Sequence, residues 1–289
     1  MKTKHGYYLA GLALLCLIAV LVLLTRPSFQ APSPLPPRVY IALGDSVSSG
    51  YGLEGYQDAP EGRHSALFFE MLQEGDHADE YKNMARSGFT TSMLLEFLEE
   101  LEDEELALFQ NAHLITLNIG GNNILAPFLE YLSDLQLVSG LISAWRGFRS
   151  PELEAMLEEG VETFAREFHE ILTWLETNAP HATIIVNTIY NPIPPEILIV
   201  SLPISNWANA LIEAMNDQIW EASETRGYFV ADLHAHFTDR VELMQFNVNP
   251  LEGPLSLDII HPSAEGHVLI AELHYAVFRE YIAQENGRG

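Results

Sequence analysis

The sequence has a single cysteine and few basic residues. One cysteine cannot form an intramolecular disulfide or supply the thiolates of a structural zinc site, so packing must stabilise the fold. Only three lysines occur, and 40 Asp and Glu residues stand against 14 Lys and Arg, which gives a formal net charge of −26. A body this acidic repels polyphosphate, and we therefore expect no nucleic-acid partner.

Glycine and proline are not abundant enough to indicate a fibrous or disordered chain. The 289 residues include 19 glycines without a regular period, and 48% of the residues are hydrophobic. This length and composition suit one large globular domain or two small ones, with ample material for a buried core.

A long uncharged hydrophobic run occurs at residues 7–24. Its 18 residues are just enough for a helix to cross the hydrocarbon layer. Because Lys2 and Lys4 precede the run, the positive-inside rule puts the N-terminus in the cytoplasm. We predict a signal anchor at residues 1–25, a proline-rich linker at residues 26–37 and a folded domain at residues 38–289 on the outer side of the cytoplasmic membrane.

Two alternatives to a retained anchor stay open. A cleaved signal peptide requires small residues before the cut, which Leu23, Leu24 and Thr25 do not provide. A lipoprotein requires a small residue before its cysteine, whereas Leu15 precedes Cys16. Cleavage would make the domain a secreted protein.

From residue 38 onward, short β-branched runs alternate with long amphipathic stretches. This alternation is typical of a parallel sheet covered by helices on both faces, a three-layer α/β/α sandwich. The predicted strands are residues 39–43, 81–84, 114–118, 183–188 and 228–232. The predicted helices are residues 65–73, 92–108, 151–177, 206–225 and 262–283.

Two connections in this pattern are unusually long. Residues 124–150 follow the third predicted strand, and residues 191–205 follow the fourth. Ligands of open parallel sheets bind beyond the carboxyl ends of the strands, so both connections are expected beside the substrate. An additional packing layer is an equally good explanation for either one alone.

A serine follows the first predicted strand directly. Ser46 lies in the turn Gly44-Asp45-Ser46, which can present its hydroxyl at the carboxyl edge of the sheet with its backbone N–H free for an oxyanion. Near the C-terminus, Asp258 precedes His261 by three residues. A carboxylate at that spacing can accept the imidazole Nδ1–H and leave Nε2 to take a proton from a serine.

Two further segments after predicted strands offer hydrogen-bond donors. Gly88 can offer a backbone N–H, and Asn122 a side-chain amide, to the same developing negative oxygen as Ser46. Taken singly, Gly88 is also typical of a turn and Asn122 of a helix cap. A separate alternative is a metal site at Asp232, His234 and His236, but no further ligand cluster accompanies them.

These blocks, in this order, resemble the SGNH hydrolase superfamily, also called GDSL-type esterases and lipases, and most resemble its membrane-anchored bacterial branch. The resemblance spans residues 38–283. It implies a flavodoxin-like fold in which Ser46 is the nucleophile, His261 the base, and Asp258 the residue that orients the imidazole. The implied oxyanion hole consists of Ser46, Gly88 and Asn122, with no metal and no organic cofactor.

The sequence departs from the family pattern at one position. The third block of the family ends in Gly-x-Asn-Asp, and here the last residue is Asn123. An amide can hold the loop by hydrogen bonds but carries no charge. The more common α/β-hydrolases are disfavoured, because their nucleophile lies in a G-x-S-x-G elbow after several strands, whereas Ser46 follows the first.

The resemblance implies an extracytoplasmic serine hydrolase that cleaves carboxylic esters through an acyl-enzyme. The apolar connections and the membrane anchor favour lipid or lysophospholipid acyl esters as substrates, with the membrane as a partner through the N-terminal helix. A carbohydrate O-acetylesterase, an acyltransferase of the same fold and a catalytically silent, membrane-tethered lipid- or glycan-binding protein are the alternatives.

Overall fold

The computed structural model describes residues 36–56, 61–134, 150–192, 201–238, 240–245, 256, 258 and 260–288. Residues Pro37–Gly289 form one compact unit. The hydrophobic run at residues 7–24 lies outside the described residues, and the predicted anchor with it. Among the helices that the structure describes, none is long and apolar enough to span a bilayer.

A parallel five-stranded sheet forms the centre of the domain, in the spatial order β2-β1-β3-β4-β5. This confirms the predicted α/β class and parallel sheet. The strands agree with the predicted ones to within two residues at either end: β1 Val39–Gly44, β2 Glu80–Asn83, β3 Ala112–Asn118, β4 Thr183–Asn187 and β5 Phe229–Ala231.

Helices connect and cover the strands. They are α1 Ser46–Ser49, α2 His64–Glu74, α3 Thr91–Glu99, α4 Asp103–Gln110, α5 Gly121–Asp134, α6 Pro151–Asn178, α7 Ser201–Arg226, α8 Leu233–Phe237 and α9 Ala264–Arg288, with a short 3₁₀ turn at Val241–Leu243. The single helix predicted at residues 92–108 was wrong, because α3 and α4 are separate. Glu105 accepts a hydrogen bond from the backbone N–H of Glu102, which caps a new helix start.

The two long connections fall only partly within the described residues. The first begins as helix α5, and residues 135–149 lie outside the description; in the second, residues 193–200 lie outside it and helix α7 already begins at Ser201.

Strand β1 lies between β2 and β3, and both of its faces are buried. Ile41 and Leu43 pack on one face against side chains of α3, α4, α6 and α7, such as Phe164. Tyr40 and Ala42 pack on the other face against α2 and α9, including Phe68. The alternation of side chains along β1 therefore produces the three layers. Because all strand pairs are parallel, the carboxyl ends of the strands lie at one edge of the sheet.

Candidate active site

Strand β1 ends in a turn that only glycine can make. Gly44 has φ +137°, and a Cβ there would lie 2.1 Å from the backbone oxygen of Asn118 at the end of β3. Asp45 then caps helix α1: its Oδ1 accepts the Val47 N–H at 3.0 Å. Ser46 is thus the first residue of a helix at the carboxyl edge of the sheet. Its backbone N–H and its hydroxyl form no hydrogen bond with any residue in the described part of the chain.

Asp258 and His261 come together within one turn of chain. His261 Nδ1 lies 2.8 Å from Asp258 Oδ2, while Asp258 Oδ1 accepts the backbone N–H groups of Ile260 (3.0 Å) and His261 (3.1 Å). Burial alone would raise the pKa of Asp258, but these hydrogen bonds hold it below its ordinary value. Because an ionised carboxylate only accepts, His261 must carry its proton on Nδ1, which leaves the Nε2 lone pair free.

Gln245 joins the histidine loop to the serine turn. Its backbone N–H donates to His261 O at 2.9 Å, and its Nε2 donates to Tyr51 O at 2.9 Å and Pro262 O at 3.1 Å. The Tyr51 ring lies 4.5 Å from the His261 ring, and the Tyr51 N–H donates to Ser46 O at 3.0 Å. The structure therefore brings His261 and the turn that carries Ser46 to the same rim.

Tyr190 holds the histidine loop from the other side. Its hydroxyl donates to Ile260 O at 2.7 Å, and its ring stacks on Phe237 with centroids 4.7 Å apart. No pattern in the sequence predicted a role for Tyr190, Tyr51 or Gln245. A lone tyrosine or glutamine in a loop carries no local pattern that indicates a partner far along the chain.

A hydrogen bond connects the segments that carry two of the three predicted oxyanion donors, Gly88 and Asn122. Asn122, in the first turn of α5, donates from Nδ2 to Phe89 O at 2.9 Å, and Phe89 directly follows Gly88. One amide hydrogen of Asn122 remains for another acceptor, and Asn122 and Ser46 line the same pocket. The Gly88 N–H forms no hydrogen bond within the described residues. All three groups are positioned near the carboxyl edge of the sheet.

Asn123 is buried, and both ends of its side-chain amide form hydrogen bonds with Thr91. Its Oδ1 accepts the Thr91 N–H at 3.1 Å, and its Nδ2 donates to Thr91 Oγ1 at 2.7 Å. The Thr91 hydroxyl donates to Glu167 Oε2 at 2.6 Å. The same Glu167 oxygen also accepts a hydrogen bond from Ser92 Oγ at 2.7 Å. The Asn123 amide thus connects the start of α5, next to Asn122, to Thr91 of α3. The carboxylate of this network belongs to Glu167 on α6.

An apolar pocket of about 910 Å³, part of it open to solvent, adjoins Ser46. Its walls come from α5, α6, α7 and the loops after β3 and β4. The hydrophobic side chains in these walls are Ile119, Ile124, Leu125, Phe128, Leu157, Ile189, Pro192, Trp207, Leu211 and Ile212. The described parts of both long connections therefore contribute to a cavity beside the serine, as the sequence predicted.

The alternative metal site gains no support. Asp232 caps α8 by accepting the Ala235 N–H at 3.1 Å, and its Oδ1 also accepts the Thr188 hydroxyl at 3.0 Å. His236 Nδ1 donates to the Asp232 carbonyl at 2.7 Å. Within the described ranges no cluster of three or more metal-ligating side chains occurs. These residues build a helix start.

Residues 42–269 match the model of the GDSL-like Lipase/Acylhydrolase family. The match covers well over half of the chain, so the protein belongs to this family, and it is a serine ester hydrolase. No curated protein matches the sequence.

Several solved structures share the fold at low sequence identity. A lipase from a goat rumen metagenome has a TM-score of 0.61 at 20% identity, over 83% of this chain and 97% of that one. An extracellular lipase from Streptomyces rimosus has a TM-score of 0.57 at 18% identity, over 81% and 98%. A phospholipase A1 from Streptomyces albidoflavus has a TM-score of 0.56 at 19% identity, over 82% and 99%. At these identities the likeness establishes the fold.

Asp45 makes stability depend on pH in a way that can be tested. Burial raises the pKa of Asp45 from 3.8 to about 6, although the Val47 N–H, the Asn118 amide and nearby His261 oppose the shift. Ionising Asp45 in the folded state therefore costs free energy, with no cost below about pH 4 and the full cost above about pH 6. We expect Asp45→Asn to raise the free energy of unfolding at about pH 8 by up to about 3 kcal/mol, and to leave it unchanged at about pH 4.

Urea unfolding of both proteins at the two pH values measures this difference. Asp217→Asn, at an exposed position on α7, is the matched control and should change neither value. An equal effect of Asp45→Asn at both pH values would contradict the assignment of a buried, ionised carboxylate. Esterase activity should fall about tenfold in Asp45→Asn, because the negative charge near His261 is lost.

Asn123→Asp should destabilise the protein even though Asp is the family residue here. Thr91 has one hydroxyl hydrogen, which Glu167 now accepts, so two carboxylates would compete for it. We expect a loss of about 1–2 kcal/mol in unfolding free energy at neutral pH, measured by urea denaturation. Asn123→Asp with Glu167→Gln should recover most of it, since Gln can donate to Thr91 Oγ1. If Asn123→Asp alone were as stable as the wild type, the network would be misassigned.

Proposed function

We propose that this hydrolase cleaves lipid acyl esters, with lysophospholipids and glycerides as the favoured class, and that Ser46 is its nucleophile. The observation that carries the proposal is the apolar pocket that Ser46 lines together with hydrophobic side chains of α5, α6 and α7. A pocket with such apolar walls suits a hydrocarbon chain better than an acetyl group.

The proposed reaction follows from the hydrogen bonds around the site. Ser46 Oγ attacks the ester carbonyl and gives its proton to His261 Nε2, while Asp258 keeps the imidazole in the Nδ1–H form. The N–H groups of Ser46 and Gly88 and the amide of Asn122 stabilise the oxyanion. The alcohol leaves with the proton from His261, and water then attacks the acyl-enzyme and gives a proton to the same imidazole. The bond between Ser46 Oγ and the acyl group breaks, Ser46 Oγ takes that proton back, and the carboxylic acid is released.

Hydrolysis of p-nitrophenyl esters of increasing acyl length tests this proposal. We expect kcat/KM to rise from acetyl to octanoyl, and Ser46→Ala to reduce turnover of every ester by about 10⁴-fold or more. Ser223→Ala, on α7, is the control for the loss of a hydroxyl. Turnover that survived in Ser46→Ala would show that another residue is the nucleophile.

A pocket variant separates the substrate class from the reaction. Ala208→Trp should fill the pocket and abolish octanoyl turnover while it leaves acetyl turnover within about threefold of the wild type. Ala210→Trp, exposed on the same helix, is the matched control and should keep the chain-length profile. A preference for acetyl esters in the wild type would argue for a carbohydrate O-acetylesterase, and transfer of the acyl group to added alcohols for an acyltransferase.

We further propose that the protein belongs to the membrane-anchored branch of the family and acts on the outer side of the cytoplasmic membrane. The uncharged run at residues 7–24 and the preceding Lys2 and Lys4 support this location. The full chain should sediment with membranes, and protease added to spheroplasts should digest its domain. Leu17→Arg with Val20→Arg should release it from the membrane fraction, since each arginine opposes insertion by about 3 kcal/mol. Recovery of a shortened chain from the medium would instead indicate a cleaved signal peptide.

A further inference from the structure

Four buried polar side chains form a continuous line beneath the candidate active site. His274 Nε2 lies 2.6 Å from Asn187 Oδ1, Asn187 Nδ2 donates to Asn118 Oδ1 at 3.0 Å, and Asn118 Nδ2 donates to Asp45 Oδ1 at 3.0 Å. None of the four is more than 9% exposed. The line runs from helix α9 across the ends of β4 and β3 to the turn after β1. Burying a polar line of this length costs free energy, which indicates that the line has a role beyond packing.

The carboxylate at one end determines the direction of every hydrogen bond. Asp45 Oδ1 already accepts the Val47 N–H, and an ionised carboxylate can only accept, so Asn118 must present its NH₂ group to it. Asn118 Oδ1 then faces Asn187, which must also present NH₂. Asn187 Oδ1 therefore faces His274, and His274 must carry its proton on Nε2.

The other end of the line is closed to water. His274 Nδ1 is buried and has no partner among the described residues. The rings of His64 and Phe68, both on α2, pack against the His274 ring with centroid distances of 5.3 Å and 5.4 Å. The His267 ring of α9 lies on His64, with centroids 5.4 Å apart. Burial lowers the pKa of His274 to about 3, so the imidazole stays neutral.

The line joins the two chain segments that carry the reacting groups. At Asp45 it ends on the cap of α1, whose first residue is Ser46. At His274 it ends on α9, which begins three residues after His261. Of the described residues, His261 and Tyr190 are titratable groups that interact electrostatically with Asp45, so the carboxylate is near the histidine loop. A shift of any member changes how Ser46 sits relative to His261.

We propose that Asn118, Asn187 and His274 are positioning residues for the ester hydrolysis: their directional hydrogen bonds hold the Asp45 carboxylate, and through it the Ser46 turn, in the reactive geometry. Asn187 and His274 lie outside the lining of the pocket, and none of the three residues carries a reacting atom. The inference depends on Ser46 being the nucleophile, as proposed above. It is independent of the substrate class.

The tautomer of His274 is the first test and needs no variant. Spectra of the full chain in detergent, labelled with ¹⁵N-histidine, should show His274 as the neutral Nε2–H form from about pH 7 to about pH 8, where Asp45 is ionised. The assignment comes from the signal that disappears in His274→Gln. A neutral Nδ1–H form, or protonation of His274 within this range, would overturn the proposed direction of the line.

Paired variants test the effect on catalysis. We expect His274→Leu and Asn187→Leu to lower kcat for p-nitrophenyl acetate about tenfold at unchanged KM, and to slow fluorophosphonate labelling of Ser46 by a similar factor. His274→Gln keeps an N–H donor at the same distance along the side chain and should recover most of the activity. In Asn187→Leu, the acid limb of the pH profile of kcat should move to higher pH. The ionised form of Asp45 is then stabilised less, so its pKa rises.

A matched loss of stability serves as the control. Thr116→Val removes the buried hydrogen bond of 2.8 Å to Tyr40 in the same sheet and should lower stability while kcat is retained. If the two leucine variants behaved like Thr116→Val, the line would be purely structural and the proposal would fail. Where Asn187→Leu does not fold, Asn187→Ser makes the same comparison. Undiminished turnover in Ser46→Ala would refute the assigned nucleophile, and the tautomer spectrum would still decide the arrangement of the line.

Discussion

The Asp45 carboxylate is buried at the carboxyl end of strand β1, where ionisation is unfavourable unless donors surround it. The Val47 N–H and the Asn118 amide provide those donors, and in doing so they hold the turn that begins helix α1. The same carboxylate sets the direction of the amides behind it. The geometry around Ser46 thus depends on how one buried charge is satisfied.

Besides the hydrogen-bonded turn at Asp45, the site contains loops that are each held by single side chains. Gln245 and Tyr190 hold the Asp258–His261 loop through backbone carbonyls, and Asn122 holds the loop after Gly88 in the same way. Side-chain donors on main-chain acceptors leave the reactive groups free of competing bonds. The imidazole Nε2 and the proposed oxyanion donors are therefore available to a substrate, and stability is provided elsewhere.

Asn123 shows how the chain departs from its family without losing the support that this position provides. Thr91 donates its N–H to the Asn123 oxygen and accepts from the Asn123 nitrogen, and the negative charge lies one hydrogen bond away on Glu167. The Asn123 amide and the Glu167 carboxylate are both needed, since the amide pairs with the Thr91 N–H and Oγ1 and the carboxylate accepts the Thr91 hydroxyl hydrogen. The substitution that placed the family pattern in question is explained by a residue on another helix.

Local patterns in the sequence determined the five parallel strands, the glycine turn before Ser46 and the pairing of Asp258 with His261, because periodicity, turns and three-residue spacing act within a few residues of chain. The break between α3 and α4 was missed, since a capping box inside a continuous amphipathic run is a weak signal. Only the tertiary structure decided that Gln245 reaches Tyr51 and that His274 reaches Asn187. Those contacts join residues 194 and 87 positions apart, which only the packing of helices and loops on the sheet brings together.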